Sequence, residues 1–220
     1  MNFEIPKNLS QAIELQKELA KKVVLKDIFR KITYVGGIDV HYKDEKIILG
    51  YVDLLYPSGE VVNKKIKVFK RKFDFRYIPE FLCFCEGPYI IDFFNTLEWK
   101  PDILVLDGHG IAHPRRFGLA SYVGVILDIP TIGCAKKLLY GKYVSKLSMI
   151  RGSCINIIDE KTNEIIGCAI RTKDNVKEVI VSVGHKISLV TAKEVVLTLS
   201  KYRIPQPIRL AHSIAKIGRL

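Results

Sequence analysis

Leu104-Val105-Leu106-Asp107-Gly108-His109-Gly110-Ile111-Ala112-His113-Pro114-Arg115-Arg116 is the stretch that decides the fold. The apolar run from Ile103 to Leu106 predicts a buried strand, and Asp107 ends it. A glycine-rich loop follows, then a basic pair, then a helix-like segment from Phe117 to Leu127. In an open α/β sheet, ligands bind outside the carboxyl ends of the strands. A carboxylate there, followed by glycines that admit another backbone, suits a metal and a phosphate. An aspartate in that place also serves simply to cap the next turn. Convergence of other acids on Asp107 is what separates the two readings.

The 220 residues suffice for one well-buried domain, and no linker divides them, so a single domain over 1–220 is expected. Hydrophobic residues at 48% and charged residues at 26% are ordinary for a globular chain. The charge is not ordinary. Lys+Arg 35 against Asp+Glu 23 leaves +12 at pH 7, which points to a polyanionic partner, most simply nucleic acid. The five cysteines, Cys83, Cys85, Cys134, Cys154 and Cys168, sit mostly in apolar runs and read as free thiols of a reducing compartment. Cys83-Phe84-Cys85 lacks the second pair that a structural zinc site needs. Met1 to Pro6 shows no basic-then-apolar signal pattern, and no apolar stretch reaches the about 18 residues of a membrane span. A cytoplasmic protein without membrane association is expected.

Taken in order, the chain opens with an amphipathic helix over about 10–25, with Ser10 as its N-cap and Ala12, Leu15, Leu19, Ala20 and Val23 at helical spacing. Three strand-like runs follow, Ile32 to Tyr42, Lys46 to Leu55 and Glu60 to Lys70, separated by Lys43-Asp44-Glu45 and Pro57-Ser58-Gly59. They predict an antiparallel meander. Asp39 lies inside the first run, where a charge is costly unless it is paired, holds a metal, or points to solvent on the alternating face. Arg71 to Arg76 is basic and aromatic. In Tyr77-Ile78-Pro79 the proline fixes its own φ and biases Ile78 toward extended backbone. Tyr77 is then either a stiff exposed tip suited to stacking on bases or a ring folded back into the core. Phe81 to Leu97 reads as helical in large part, with Gly87-Pro88 marking a start or a bend and Glu86 as a lone acid.

Beyond Asp107, Thr131 to Cys134 predicts a short strand, followed by the basic turn Ala135-Lys136-Lys137. Cys154 to Ile158, Ile165 to Arg171 and Val179 to Val183 read as further strands. Thr191-x-x-Glu194 reads as a capping box opening a helix to about Lys201. After Pro205-Gln206-Pro207, a last helix from Ile208 to about Ile217 carries His212. A meander followed by alternating helices and strands predicts an α/β sheet with an antiparallel edge. The strand ending at Asp107 is the first after the crossover and is expected beside the strand of Asp39. Two acids on neighbouring strands can share a divalent cation, and their oxygens favour a hard ion such as Mg²⁺. Glu86, near a helix start, could reach the same place.

Gly37-Ile38-Asp39-Val40, Tyr77-Ile78-Pro79, Phe84-Cys85-Glu86-Gly87-Pro88, Asp107 to Arg115, Thr131 to Lys136, Ile166-Gly167-Cys168, Gly184-His185 and Arg209-Leu210-Ala211-His212 together resemble endonuclease V. They keep the family's order and span nearly the whole chain, and the Asp-Gly-x-Gly-x-x-His-Pro block is highly specific. The resemblance implies a ribonuclease H-like α/β fold, in which a mixed sheet (the antiparallel three-strand meander plus parallel strands) is flanked by helices. It implies a Mg²⁺-dependent endonuclease, with Mn²⁺ as a substitute, that acts as a monomer on DNA. Such an enzyme recognises deaminated bases, chiefly hypoxanthine in deoxyinosine. It hydrolyses the second phosphodiester bond 3′ to the lesion and leaves 3′-hydroxyl and 5′-phosphate ends.

By the same resemblance, Asp39, Glu86 and Asp107 match the acidic metal ligands, His212 the histidine that completes the site, and Lys136 a lysine at the cleavage site. Tyr77, with Ile78 and Pro79, matches the wedge that fills the gap left by the everted base. Phe81, Leu82, Gly108, Gly118 and Leu119 match positions lining the base pocket. His113 and Arg115 are expected to support the site, orient Asp107 or contact phosphate. The chemistry agrees. Phosphodiester hydrolysis needs an activated water and a stabilised leaving oxyanion, which divalent ions supply. Extruding a base costs a few kcal/mol, and a stacked Tyr77 would return about 1–3 kcal/mol of it.

Three positions depart from the family pattern. Arg76 stands where a proline usually precedes the wedge tyrosine, Glu80 where a small residue is common, and Cys85 where arginine is common. They bear on wedge stiffness, on phosphate contacts and on the balance between duplex, single strand and RNA. Two rival readings follow. One is the same chemistry on inosine-containing RNA, which turns on whether a ribose 2′-hydroxyl is required. The other is a non-catalytic nucleic-acid-binding protein, against which the intact set of Asp39, Glu86, Asp107, Lys136 and His212 argues.

Overall fold

The computed structural model describes residues 6–70 and 78–218, with only the backbone of Pro79. Helix α1 (Leu9–Ala20) precedes the antiparallel meander of β1 (Tyr34–Lys43), β2 (Lys46–Leu55) and β3 (Val61–Lys70). A 3₁₀ turn (Pro79–Phe81) and α2 (Leu82–Phe94) carry the chain over to β4 (Ile103–Leu106), which runs parallel to β1. Helix α3 (Leu119–Leu127) repeats the crossover to β5 (Thr131–Ala135), parallel to β4. Strands β6 (Lys142–Tyr143), β7 (Cys154–Ile158), β8 (Ile165–Ile170) and β9 (Val179–His185) extend the sheet antiparallel, followed by α4 (Leu189–Thr198) and α5 (Gln206–Ile217). The strand order is β3-β2-β1-β4-β5-β9-β8-β7-β6. The expected mixed α/β sheet is therefore present, with the meander at one edge and a second antiparallel arm beyond β5.

Several local expectations need correction. Asn8, not Ser10, caps α1: its Oδ1 accepts the Gln11 N–H at 2.9 Å, while Ser10 already lies inside the first turn. The helix ends at Ala20 rather than near 25. Thr191 does not open a capping box. Ser188 Oγ caps α4 by accepting the Thr191 N–H at 3.2 Å. Gly87-Pro88 does not start a helix either, because α2 begins at Leu82 and runs through both residues. Gly87 is needed for packing: a Cβ there would lie 2.5 Å from the Tyr122 ring on α3.

Strand β4 is buried on both faces, as expected of a central parallel strand. Leu104 and Leu106 join Ile38, Phe84, Phe94 and Val123 in the core under α1, α2 and α3. Ile103 and Val105 join Val35, Ile132, Val183, Val195 and Ile208 under α4 and α5. Helix α5 lies unusually close to β1 and β2. A Cβ on Gly37 would come within 2.3 Å of the Pro207 carbonyl carbon, and one on Gly50 within 2.1 Å of the Ala211 oxygen. Gly50 pairs with Asp39 in the sheet, so the helix is set down directly over that aspartate.

Candidate active site

The parallel pairing of β1 with β4 sets Ile38 opposite Leu106. The next residue on each strand is an aspartate, Asp39 and Asp107, and neighbouring strands lie only about 4.8 Å apart. The expected adjacency of the two acids is thus built into the register. Strand β5 continues the pattern. It pairs parallel with β4 and delivers Lys136 just past its end. Lys136 Nζ lies 2.5 Å from Asp107 Oδ2, with the lysine side chain 45% and the aspartate 20% exposed. From the other layer, α5 places His212 Nδ1 3.0 Å from Asp39 Oδ2.

Glu86 comes from α2, on the opposite side of the sheet from α5. Burial raises its pKa well above the usual carboxylate range. The charges of Asp39 and Asp107 push the same way, against a hydrogen bond from Tyr42. Asp39 is raised too, first by burial and then by Asp107, while His212 and Lys136 oppose the shift. Burial works against the Lys136 ammonium, but the Asp107 hydrogen bond and the Asp107 and Asp39 charges outweigh it, so its pKa is raised. The three acids therefore feel one another's charge at the carboxyl ends of the parallel strands.

As the side chains stand, no three His, Cys, Asp or Glu among the described residues form a ready-made ligand group. The donor set nonetheless fits a hard divalent cation. All three candidate ligands offer oxygen, and burial followed by mutual repulsion holds Asp39 and Glu86 at raised pKa, a cost that a bound cation relieves.

Near the acids lies a small recess of about 20 Å³ lined by Glu80, Leu82, His109, His113, Gly118 and Leu119, among others. Leu82, Gly118 and Leu119 thus line one recess. Phe81 and Gly108 are not lining residues. Phe81 is buried behind the recess with the Arg115 guanidinium 4.5 Å from its ring centroid. Gly108 sits under Leu119, whose Cβ would be 3.3 Å from an added methyl.

His113 touches neither Asp107 nor open solvent. It is 1% exposed, its ring Nε2 is 2.8 Å from the Glu80 carbonyl, and its Nδ1 accepts the Arg115 N–H at 3.1 Å. The second bond requires the proton on Nε2, so the ring is neutral and donates to Glu80. Burial lowers its pKa to about 3. Arg115 is equally occupied, with Nε 2.6 Å from Gln16 Oε1 and Nη1 2.8 Å from Glu80 Oε2. Both residues support the recess. Ile78 is partly buried against the α1–α3 core, with the extended backbone that Pro79 favours. Tyr77, with Arg71 to Arg76, lies outside the described residues.

Sequence reasoning passed over three residues that shape the site. Tyr42 hydrogen-bonds Glu86. Arg203 Nη2 donates to the Lys136 carbonyl at 2.7 Å and to the Glu178 carbonyl at 3.1 Å, tying the lysine's loop to β9. Gln16 is fully buried and bonds the Glu80 and Phe117 carbonyls at 2.9 and 3.0 Å. A glutamine on the apolar stripe of α1 was the one available signal among them.

Comparison with known proteins gives a consistent result. A family model described as Endonuclease V matches residues 17–213. Endonuclease V of Dictyoglomus thermophilum is 48% identical over 207 residues, 94% of this chain and 89% of that one. The crystal structure of endonuclease V from Streptomyces avermitilis matches with a TM-score of 0.87 at 35% identity, covering 97% of this chain and 94% of that one. Ciona intestinalis endonuclease V, in complex with a 23mer DNA containing an inosine followed by a ribo-adenosine, matches with a TM-score of 0.82 at 28% identity, covering 95% of each chain.

Proposed function

The chain belongs to the endonuclease V family, and from that premise we propose that residues 1–220 act as one nuclease domain that cuts nucleic acid at deaminated bases. Its substrate is DNA carrying deoxyinosine, and it hydrolyses the second phosphodiester bond on the 3′ side, leaving 3′-hydroxyl and 5′-phosphate ends. The observation that carries this reading is the meeting of Asp39, Glu86, Asp107, Lys136 and His212 at the strand ends, beside a recess. The inosine-containing DNA bound by the Ciona relative supports the substrate.

Asp39, Glu86 and Asp107 would hold the metal, Mg²⁺ with Mn²⁺ as a substitute. When bound, it supplies electrophilic stabilisation of the phosphate and acidifies water. The chain's own groups do the rest. Lys136, anchored on Asp107, brings fixed positive charge to the scissile phosphate. His212 commits Nδ1 to Asp39, which leaves Nε2 to orient a water or take its proton. Wedge insertion by Tyr77, with Ile78 and Pro79, belongs to the same reading. So do a cytoplasmic location and a monomeric state. All five cysteines are free thiols, as a reducing compartment would keep them.

Asp107→Ala tests the nuclease against a binding-only protein. It should abolish cutting and keep or strengthen lesion binding, because a negative charge facing phosphate is removed. Wild type and variant both binding without cutting in Mg²⁺ would favour the binding-only reading. A second reading, cleavage of inosine-containing RNA, is favoured by the ribo-adenosine that follows inosine in the Ciona complex. A matching RNA strand tests it.

A further inference from the structure

Glu80 is the middle residue of the 3₁₀ turn and lines the recess. Its backbone carbonyl accepts from Gln16 Nε2 at 2.9 Å and from His113 Nε2 at 2.8 Å. Its carboxylate is fixed as well. Oε2 is 2.8 Å from Arg115 Nη1, and Arg115 is held in turn by Gln16 and stacked on Phe81. The side chain stays 41% exposed, and among the described residues Oε1 accepts no hydrogen bond. The lining histidines make their ring contacts to backbone: His113 bonds the Glu80 carbonyl and the Arg115 N–H, and His109 Nε2 lies 3.0 Å from the Lys137 carbonyl. Glu80 is thus the carboxylate acceptor of the recess, on a side chain that cannot swing away without breaking its Arg115 pair.

On the reading that the recess takes an everted base, we propose that Glu80 is a specificity-determining residue whose carboxylate accepts the N1–H of the base. An ionised carboxylate accepts and never donates. Hypoxanthine carries a hydrogen on N1. Adenine, from which deamination makes it, presents a lone pair there. A pinned anionic acceptor therefore draws in the deaminated edge and repels the parent edge. It works by unfavourable contact with the wrong base as much as by attraction to the right one. Xanthine and guanine also carry N1–H, so the group sorts purines by N1 protonation and leaves further sorting to the walls of the recess.

Binding is measured in EDTA, so that cutting plays no part, on two duplexes that differ at one position. One carries hypoxanthine and the other unsubstituted purine, which lacks N1–H, each opposite thymine. Wild type should prefer the hypoxanthine duplex. Glu80→Gln, whose amide presents a donor or an acceptor, should shrink that preference by about tenfold or more, the worth of one charge-assisted hydrogen bond. Glu80→Gly should shrink it likewise. A purely supporting role, acting through Arg115, weakens both duplexes alike and leaves the ratio intact. An unchanged ratio in both variants, or no preference in wild type, overturns the proposal. Nicking of the hypoxanthine duplex by wild type with Mg²⁺ is scored separately. Its absence counts against the nuclease assignment, whereas a nick with an unchanged ratio counts against Glu80 alone.

Discussion

His212 Nδ1 lies 3.0 Å from Asp39 Oδ2, joining helix α5 to strand β1 across the mouth of the site. With Asp39 ionised, Nδ1 carries the proton and the lone pair of the ring is on Nε2, free to accept from water. The Asp39 contact sets the tautomer and the direction of the ring.

His212→Ala is accordingly expected to lower the single-turnover cutting rate by about 10²–10⁴-fold, the usual worth of a positioned acid–base group. Lesion binding should change little. A loss of binding as large as the loss of rate would show that His212 holds substrate instead.

Glu86 illustrates a conflict between stability and function. Its folded-state pKa is raised by burial, then by Asp39 and Asp107, so its charge opposes folding at neutral pH. That cost fades as pH falls and the group takes up its proton. Glu86→Gln should therefore raise Tm at pH 7.5, with the gain narrowing on acidification. Cutting should fall by at least the about 100-fold that losing a supporting partner costs a metal site. A variant with lower Tm and full activity would contradict both the electrostatics and the ligand assignment.

Gly50 tests the seating of α5. A methyl group there would meet the Ala211 oxygen at 2.1 Å, and the helix must lift. Gly50→Ala should cost about 1–3 kcal/mol as an overpacked contact. The cutting rate should fall beyond what the unfolded fraction explains, because His212 moves with the helix. Thermal melts and single-turnover rates on the same preparation separate the two effects.

His113 predicts an acid sensitivity. Its folded-state pKa is lowered to about 3, while an unfolded histidine titrates near 6.5. The unfolded state binds the extra proton, so this contribution is complete above pH 6.5 and is lost as pH falls toward 3. At pH 5 the loss from this one group is about 2 kcal/mol. Burial lowers His109 and His185 as well, so they add to the same slope. Urea unfolding at pH 7.5 and pH 5 should show a smaller difference for His113→Gln than for wild type.

Some of this architecture is legible from residue patterns and some is not. The adjacency of Asp39 and Asp107 follows from two apolar strands, one carrying an acid within it and the other ending in one, joined by a helical crossover. Register needs no further information once β4 pairs with β1. The docking of His212 was open only to family resemblance, because it depends on two bare glycine surfaces, Gly37 and Gly50, meeting a helix far along the chain. Nothing in local spacing announces that Tyr42 bonds Glu86 or that Arg203 bonds the Lys136 carbonyl, since both contacts are set by tertiary packing. The capping errors have a simpler cause. Asn8 and Ser10, like Ser188 and Thr191, are all competent caps, and the backbone chooses between them.

The most direct measurement is cleavage of an end-labelled duplex carrying one deoxyinosine, with Mg²⁺ and with EDTA, run beside a sequence ladder. The predicted result is a Mg²⁺-dependent nick one nucleotide beyond the inosine on its 3′ side, absent from the undamaged duplex and lost in Asp107→Ala. Cutting at another bond, equal cutting of undamaged DNA, or an intact strand in both the DNA and the matching inosine-RNA would contradict it.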